Sequence, residues 1–104
     1  MSRPRIAAYV PDLMDRSKLV AADADVTFVP TPSELAGTAA EVVVVDLSRP
    51  GVLDALAGLA AVRTIGFGSH VDGELLEAAR AAGCDEVLPR SRFFARLGEL
   101  LARG

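Results

Sequence analysis

Short apolar runs alternate along the chain with longer segments in which apolar residues recur every three or four positions. The runs predict strands at 5–10, 26–29, 42–45, 62–67 and 86–88. The segments between them predict helices at 13–22, just after Thr31, at 52–61, 72–82 and 92–102. Four consecutive valines at 42–45 carry no polar alternation. A strand of that kind is buried on both faces, as at the centre of a parallel sheet.

The breaks between elements have physical causes. Pro11 and Pro30 end the first two strands, because proline supplies no amide to a ladder. Asp12 is placed to cap the first helix, whose inward side is read as Leu13, Ser17, Val20 and Ala21. Thr31-Pro32-Ser33-Glu34 offers a cap, a first-turn proline and an acid that closes a capping box, and Gly37 weakens the short helix that follows. Ser48-Arg49-Pro50-Gly51 is a turn, after which Leu53, Leu56 and Ala60 face inward. Asp72 caps the next helix, Gly83 stands where a helix end turns left-handed, and Ser91 is read as the last cap. Right-handed crossovers then imply an α/β, flavodoxin-like three-layer sandwich. Its five-stranded parallel sheet has the order 2-1-3-4-5, and residues 1–104 form one domain.

Composition sharpens this picture in three ways. Aromatics are only 5% of the 104 residues, so the core is built of Ala, Val and Leu, which lets helices approach a sheet closely. A formal charge of −3 without a basic stripe argues against a nucleic-acid binder, which needs cations for the phosphates. Cys84 is the only cysteine and is read as a small buried hydrophobe, so no disulfide forms within the chain and a reducing interior is expected. The apolar run at 6–10 is too short for a signal-peptide core, and no uncharged stretch approaches the roughly 18 residues that span a bilayer. A cytoplasmic protein with no membrane partner is expected.

Ligands of open parallel sheets bind beyond the carboxyl ends of the strands. The sequence places Asp12, Asp46, Ser48, Gly68, Ser69, His70, Arg90 and Ser91 there. Asp46 directly follows the valine run and is the leading candidate: either a functional rim acid or a cap for its own turn. Asp12 reads first as a helix cap, and Arg90 as the partner of Asp46 in a structural ion bridge. His70, the only histidine, reads as a solvated loop residue, and with Cys84 it gathers too few ligands for a transition-metal site. Gly66-Phe67-Gly68 with Gly73 lacks the spacing and the lysine of phosphate loops. Phe93, Phe94, Leu97, Leu100 and Leu101 fit one helical face and are read as core.

Val42-Val43-Val44-Val45-Asp46-Leu47 resembles the third strand and phospho-acceptor aspartate of response-regulator receiver domains. Ala82-Gly83-Cys84-Asp85-Glu86-Val87-Leu88-Pro89-Arg90-Ser91 is similar to their fifth strand, which leads to a Lys-Pro dipeptide. The resemblance spans essentially the whole chain and implies Asp46 as phospho-acceptor. It also implies Mg²⁺, held by Asp12, Asp46 and the Ser48 carbonyl, if receiver chemistry operates; otherwise no cofactor is expected. The departures are specific. Val10-Pro11-Asp12 supplies one acid where receivers place two or more, Gly68 falls on the switch Thr/Ser with Ser69 one place later, and Arg90-Ser91 replaces Lys-Pro. Phosphoryl transfer to a carboxylate depends on charge neutralisation and positioning, and a guanidinium fork is no substitute for a compact ammonium.

The expected function is therefore a stand-alone pseudo-receiver that acts by binding protein, not an enzyme. A working receiver phosphorylated on Asp46 is the alternative, and a small-ligand binder using Gly68 to His70 the third reading. The expected partner is a second copy or another signalling protein. Helix 72–82 turns Glu74, Glu77, Ala78 and Ala81 outward, and helix 92–102 turns Arg92, Ala95, Arg96, Glu99 and Arg103 outward. An acidic face beside a basic one suits a twofold dimer.

Overall fold

A computed structural model describes residues 4–22, 24–59, 62–69 and 71–102, with the side chain of Ala102 left aside. Five strands, β1 (Arg5–Tyr9), β2 (Asp25–Phe28), β3 (Val42–Asp46), β4 (Arg63–Gly68) and β5 (Glu86–Pro89), form one sheet in the order β2-β1-β3-β4-β5. Every pairing is parallel. The predicted topology is the observed one.

The helices are α1 (Leu13–Ala21), α2 (Val52–Leu56), α3 (Gly73–Ala81), α4 (Arg90–Ala95) and α5 (Leu97–Ala102), with 3-10 turns at Pro32–Gly37 and Ala57–Leu59. They cover both faces of the sheet. On one face, Ile6, Ala8, Val42, Val44, Ile65 and Phe67 pack with Leu19 of α1 and Phe93, Leu97, Leu100 and Leu101 near the end of the chain. On the other, Ala7, Val43 and Val45 pack with Leu35, Val52, Leu56, Leu76 and Ala79. All five residues of β3 are buried, as the valine run requires.

Two glycines are set by packing and turn geometry. A Cβ at Gly66 would stand 2.8 Å from Leu47 Cδ2 and 2.9 Å from its Cγ, so any larger residue there forces the buried Leu47 side chain to shift. Gly83 has φ of 106° and ends α3 in the left-handed conformation its position predicts. Asp85, next in the strand entry, accepts a 2.8 Å bond from the Thr64 amide and donates its own amide to Thr64 O. The Gly-Cys-Asp sequence thus fixes where β5 joins β4.

Four local expectations are corrected. On α1 the inward residues are Asp15 and Leu19, while Leu13, Met14 and Val20 are 75%, 74% and 62% exposed. The helix is rotated because Asp15 is drawn inward by an ion pair with Arg90. Thr31 makes no side-chain cap bond; its hydroxyl donates instead to Glu34 Oε2 at 2.9 Å, so the box is not closed. The third helix keeps α geometry only to Leu56, ahead of Gly58, a poor helix former, and of the predicted inward Ala60, which lies outside the described residues. The last helix begins at Arg90 rather than after Ser91, with Pro89 as its N-cap, and breaks at Arg96.

Candidate functional site

The carboxyl ends of β3, β4 and β5 converge on a cavity of about 280 Å³ lined by Asp46, Ser48, Gly68, Ser69, Arg90 and Ser91. Register explains the convergence. Asp46 is level with Phe67, and Gly68 with Pro89, so the residues leaving each strand emerge side by side. The candidates Asp46, Gly68, Ser69 and Arg90 therefore share one site. Asp12 is not among its lining residues. A slightly larger cavity, about 320 Å³, is bordered by Arg5, Asp25, Thr27 and Thr38. It lies away from the carboxyl ends and gathers less of the candidate chemistry.

Asp46 is buried and engaged by its own turn. Its Oδ1 accepts the Ser48 amide at 3.0 Å and the Ser48 hydroxyl at 2.6 Å, and its Oδ2 accepts Arg49 Nε at 3.3 Å. A charge-assisted set of this kind holds the carboxylate in one orientation. Asp12 caps α1: its Oδ1 accepts the amides of Met14 at 2.9 Å and Asp15 at 3.0 Å. The Asp15 amide is the main reason its carboxyl titrates below the ordinary 3.8, with Met14, Arg90 and Arg49 adding to the effect against a desolvation penalty.

Arg90 does not pair with Asp46, contrary to the sequence expectation. Its Nη2 donates to Asp15 Oδ1, and the Asp15 side chain is 1% exposed against 44% for Arg90. The guanidinium also stands 5.7 Å from the Phe67 ring centroid and 5.5 Å from that of Phe94. Those two rings form an aromatic cluster with Phe93 at centroid separations of 4.7–5.3 Å. Asp15 beside it raises the Arg90 pKa, with further support from Asp46 and Asp12. The physical reason for the correction is proximity of partners: Asp46 already has Arg49, whereas Asp15 is buried with no nearer cation.

Asp15 is the residue that sequence reasoning missed. Its signal was the helix wheel, on which Asp15, Leu19 and Ala22 share a side at spacings of four and three. Gly68 is closely packed: a Cβ there would lie 3.3 Å from Leu76 Cδ2. Ser69 Oγ accepts the Val71 amide at 3.4 Å. His70 lies outside the described residues. Cys84 is buried, and burial pushes its thiol up to about 11, so it is inert.

The magnesium that the resemblance implies does not fit these donors. Asp12 Oδ1 is taken by the α1 amides, Asp15 Oδ1 by Arg90 with Oδ2 buried beside it, and both Asp46 oxygens have protein donors. Among the described residues no three His, Cys, Asp or Glu side chains are grouped to hold a metal ion. A divalent cation needs several oxygens free to turn toward it.

Solved receiver domains share this fold. A response regulator from Hahella chejuensis superposes with a TM-score of 0.78 at 11% identity, over 95% of this chain and 92% of that one. A CheY-like response regulator from Mesorhizobium loti gives 0.69 at 21% identity, over 98% of each chain. The receiver domain of DrrB, solved in a BeF3-activated form, gives 0.74 at 19% identity over 99% of this chain and all of that one. No protein-family model matches the chain, and no curated protein matches it significantly. The chain has the receiver fold, and its rim chemistry must be argued from its own residues. None of the described helices is long and apolar enough to cross a membrane.

Proposed function

We propose that this chain is a receiver-like signalling module of the cytoplasm that works by binding protein, and that it accepts phosphate on Asp46 poorly or not at all. One observation carries the reading: the acceptor carboxylate is bonded on both oxygens by its own turn, while the cation at the end of β5 is committed to Asp15. No nucleic-acid, membrane or enzymatic role is assigned. A protein partner is supported by α1, where three large apolar residues lie exposed.

The face of α3, β5 and α4 is proposed as a homodimer surface. Glu74, Glu77, Ala81 and Arg92 are exposed there, and Arg103 lies outside the described residues. Glu77 already bonds Arg80, and Arg96 bonds Glu99 at 3.2 Å, so charge across such a dimer is partly spent within each helix. Packing of Ala78, Ala81 and Ala95 has to supply the remainder.

A second reading, a working receiver, is favoured by one observation. Asp46, Ser69 and Arg90 do line one cavity, and Asp15 is a second acid close by. Incubation with Mg²⁺ and a small phosphodonor, followed by intact-mass measurement, separates the two. The leading reading expects little or no added phosphate. Stoichiometric phosphate that disappears in Asp46→Asn establishes the second. Light scattering across concentration tests the dimer, and a monomer throughout, unaffected by Arg96→Glu, removes it.

A further inference from the structure

We infer that Arg90 is the resident cation of the acidic rim: its guanidinium supplies the positive charge that a divalent metal would otherwise bring, and so closes the rim to metal. The inference rests on the same reading of Asp46 as an engaged carboxylate.

Three observations combine. First, the two buried carboxylates of the rim are matched one to one with guanidinium groups, Asp46 with Arg49 and Asp15 with Arg90. A dication entering there meets two guanidinium charges and, among the described residues, no buried acid without an ionic partner. Second, Asp15 Oδ2 is buried without a hydrogen-bond partner, so compensation of that carboxylate falls on Arg90 through the other oxygen. Burying an ionised carboxylate is costly unless a charge is paired with it. Third, Arg90 is held from more than one side. The Phe67 and Phe94 rings lie within 5.7 Å of its guanidinium and favour a cation there.

The test uses the full chain and Mn²⁺ as a paramagnetic probe, read by amide NMR. The expected result for the wild type is no selective broadening of amides near Asp15, Asp46 or Ser69, and a melting temperature unmoved by Mg²⁺ or EDTA. In Arg90→Met the rim loses its cation, so the variant should melt lower than wild type and gain melting temperature when Mg²⁺ is added. Saturable broadening in the wild type that Mg²⁺ reverses overturns the inference. So does a folded Arg90→Met that melts like wild type and ignores Mg²⁺. Should that variant not fold, the wild-type Mn²⁺ experiment decides by itself. Failure here is distinct from failure of the functional reading. Phosphate on Asp46 with no metal effect removes only the latter, and metal binding without phosphate removes only the former.

Discussion

Two carboxylates stand near the same sheet rim and are held in opposite ways. Asp46 is fixed by residues two and three positions away, through a turn that directly continues β3. Asp15 is fixed by a residue 75 positions away, across the packed end of β5, whose guanidinium also lies near two aromatic rings. Local engagement costs little chain entropy and forms with the turn. Long-range engagement forms only when the whole sandwich has assembled. The first sets the orientation of Asp46, and the second places Arg90 beside Asp15.

The largest effect should come from breaking the long-range pair. Arg90→Met leaves Asp15 buried and uncompensated, and chemical denaturation should show a loss of about 2–3 kcal/mol. That lies below the ~3–5 kcal/mol of fully buried pairs because Arg90 is partly exposed. Next is the local side. Gly66→Ala presses a methyl into Leu47, which is buried and neighbours Asp46, and should cost about 2 kcal/mol while disturbing the Asp46 turn. An unchanged denaturation midpoint would mean that Leu47 has room to move.

These two sites also show what could be read in advance. The strand order followed from the valine run and the alternation of elements, because a fully apolar strand of that length has few other homes. Asp46, Gly68, Ser69 and Arg90 line one cavity at the rim while Asp12 does not, since strand ends are set by local sequence and Asp12 is turned to its helix. The pairing of Arg90 was not legible, because an acid on a helix looks solvated until its distant partner is known. The same fact rotated α1 and exposed the apolar side that periodicity had turned inward. Periodicity assumes that burial follows hydrophobicity, and one buried ion pair is enough to break that assumption on a nine-residue helix.

Smaller effects sharpen the contrast at α1. Asp12→Ala removes the cap that starts the helix carrying Asp15, and its loss of stability should be smaller than either change above. Because the folded carboxyl titrates below 3.8, the cap stabilises fully above that value and the benefit fades as pH falls through the lowered folded pKa. The gap between wild type and Asp12→Ala in acid denaturation should therefore close at low pH, and a gap independent of pH would contradict the assignment. Smallest of all, Val20→Ser on the exposed side of α1 should alter stability by no more than about 0.5 kcal/mol. A loss typical of a core site would restore the inward reading of that face.

The most direct measurement is a double-mutant cycle on Asp15 and Arg90, using Asp15→Leu, Arg90→Met and the double variant in denaturant unfolding. The account predicts strong coupling, about 1.5 kcal/mol or more, with the double variant more stable than Arg90→Met alone. Coupling within about 0.5 kcal/mol of zero would show that Arg90 is not committed to Asp15, and the closed rim would fall with it.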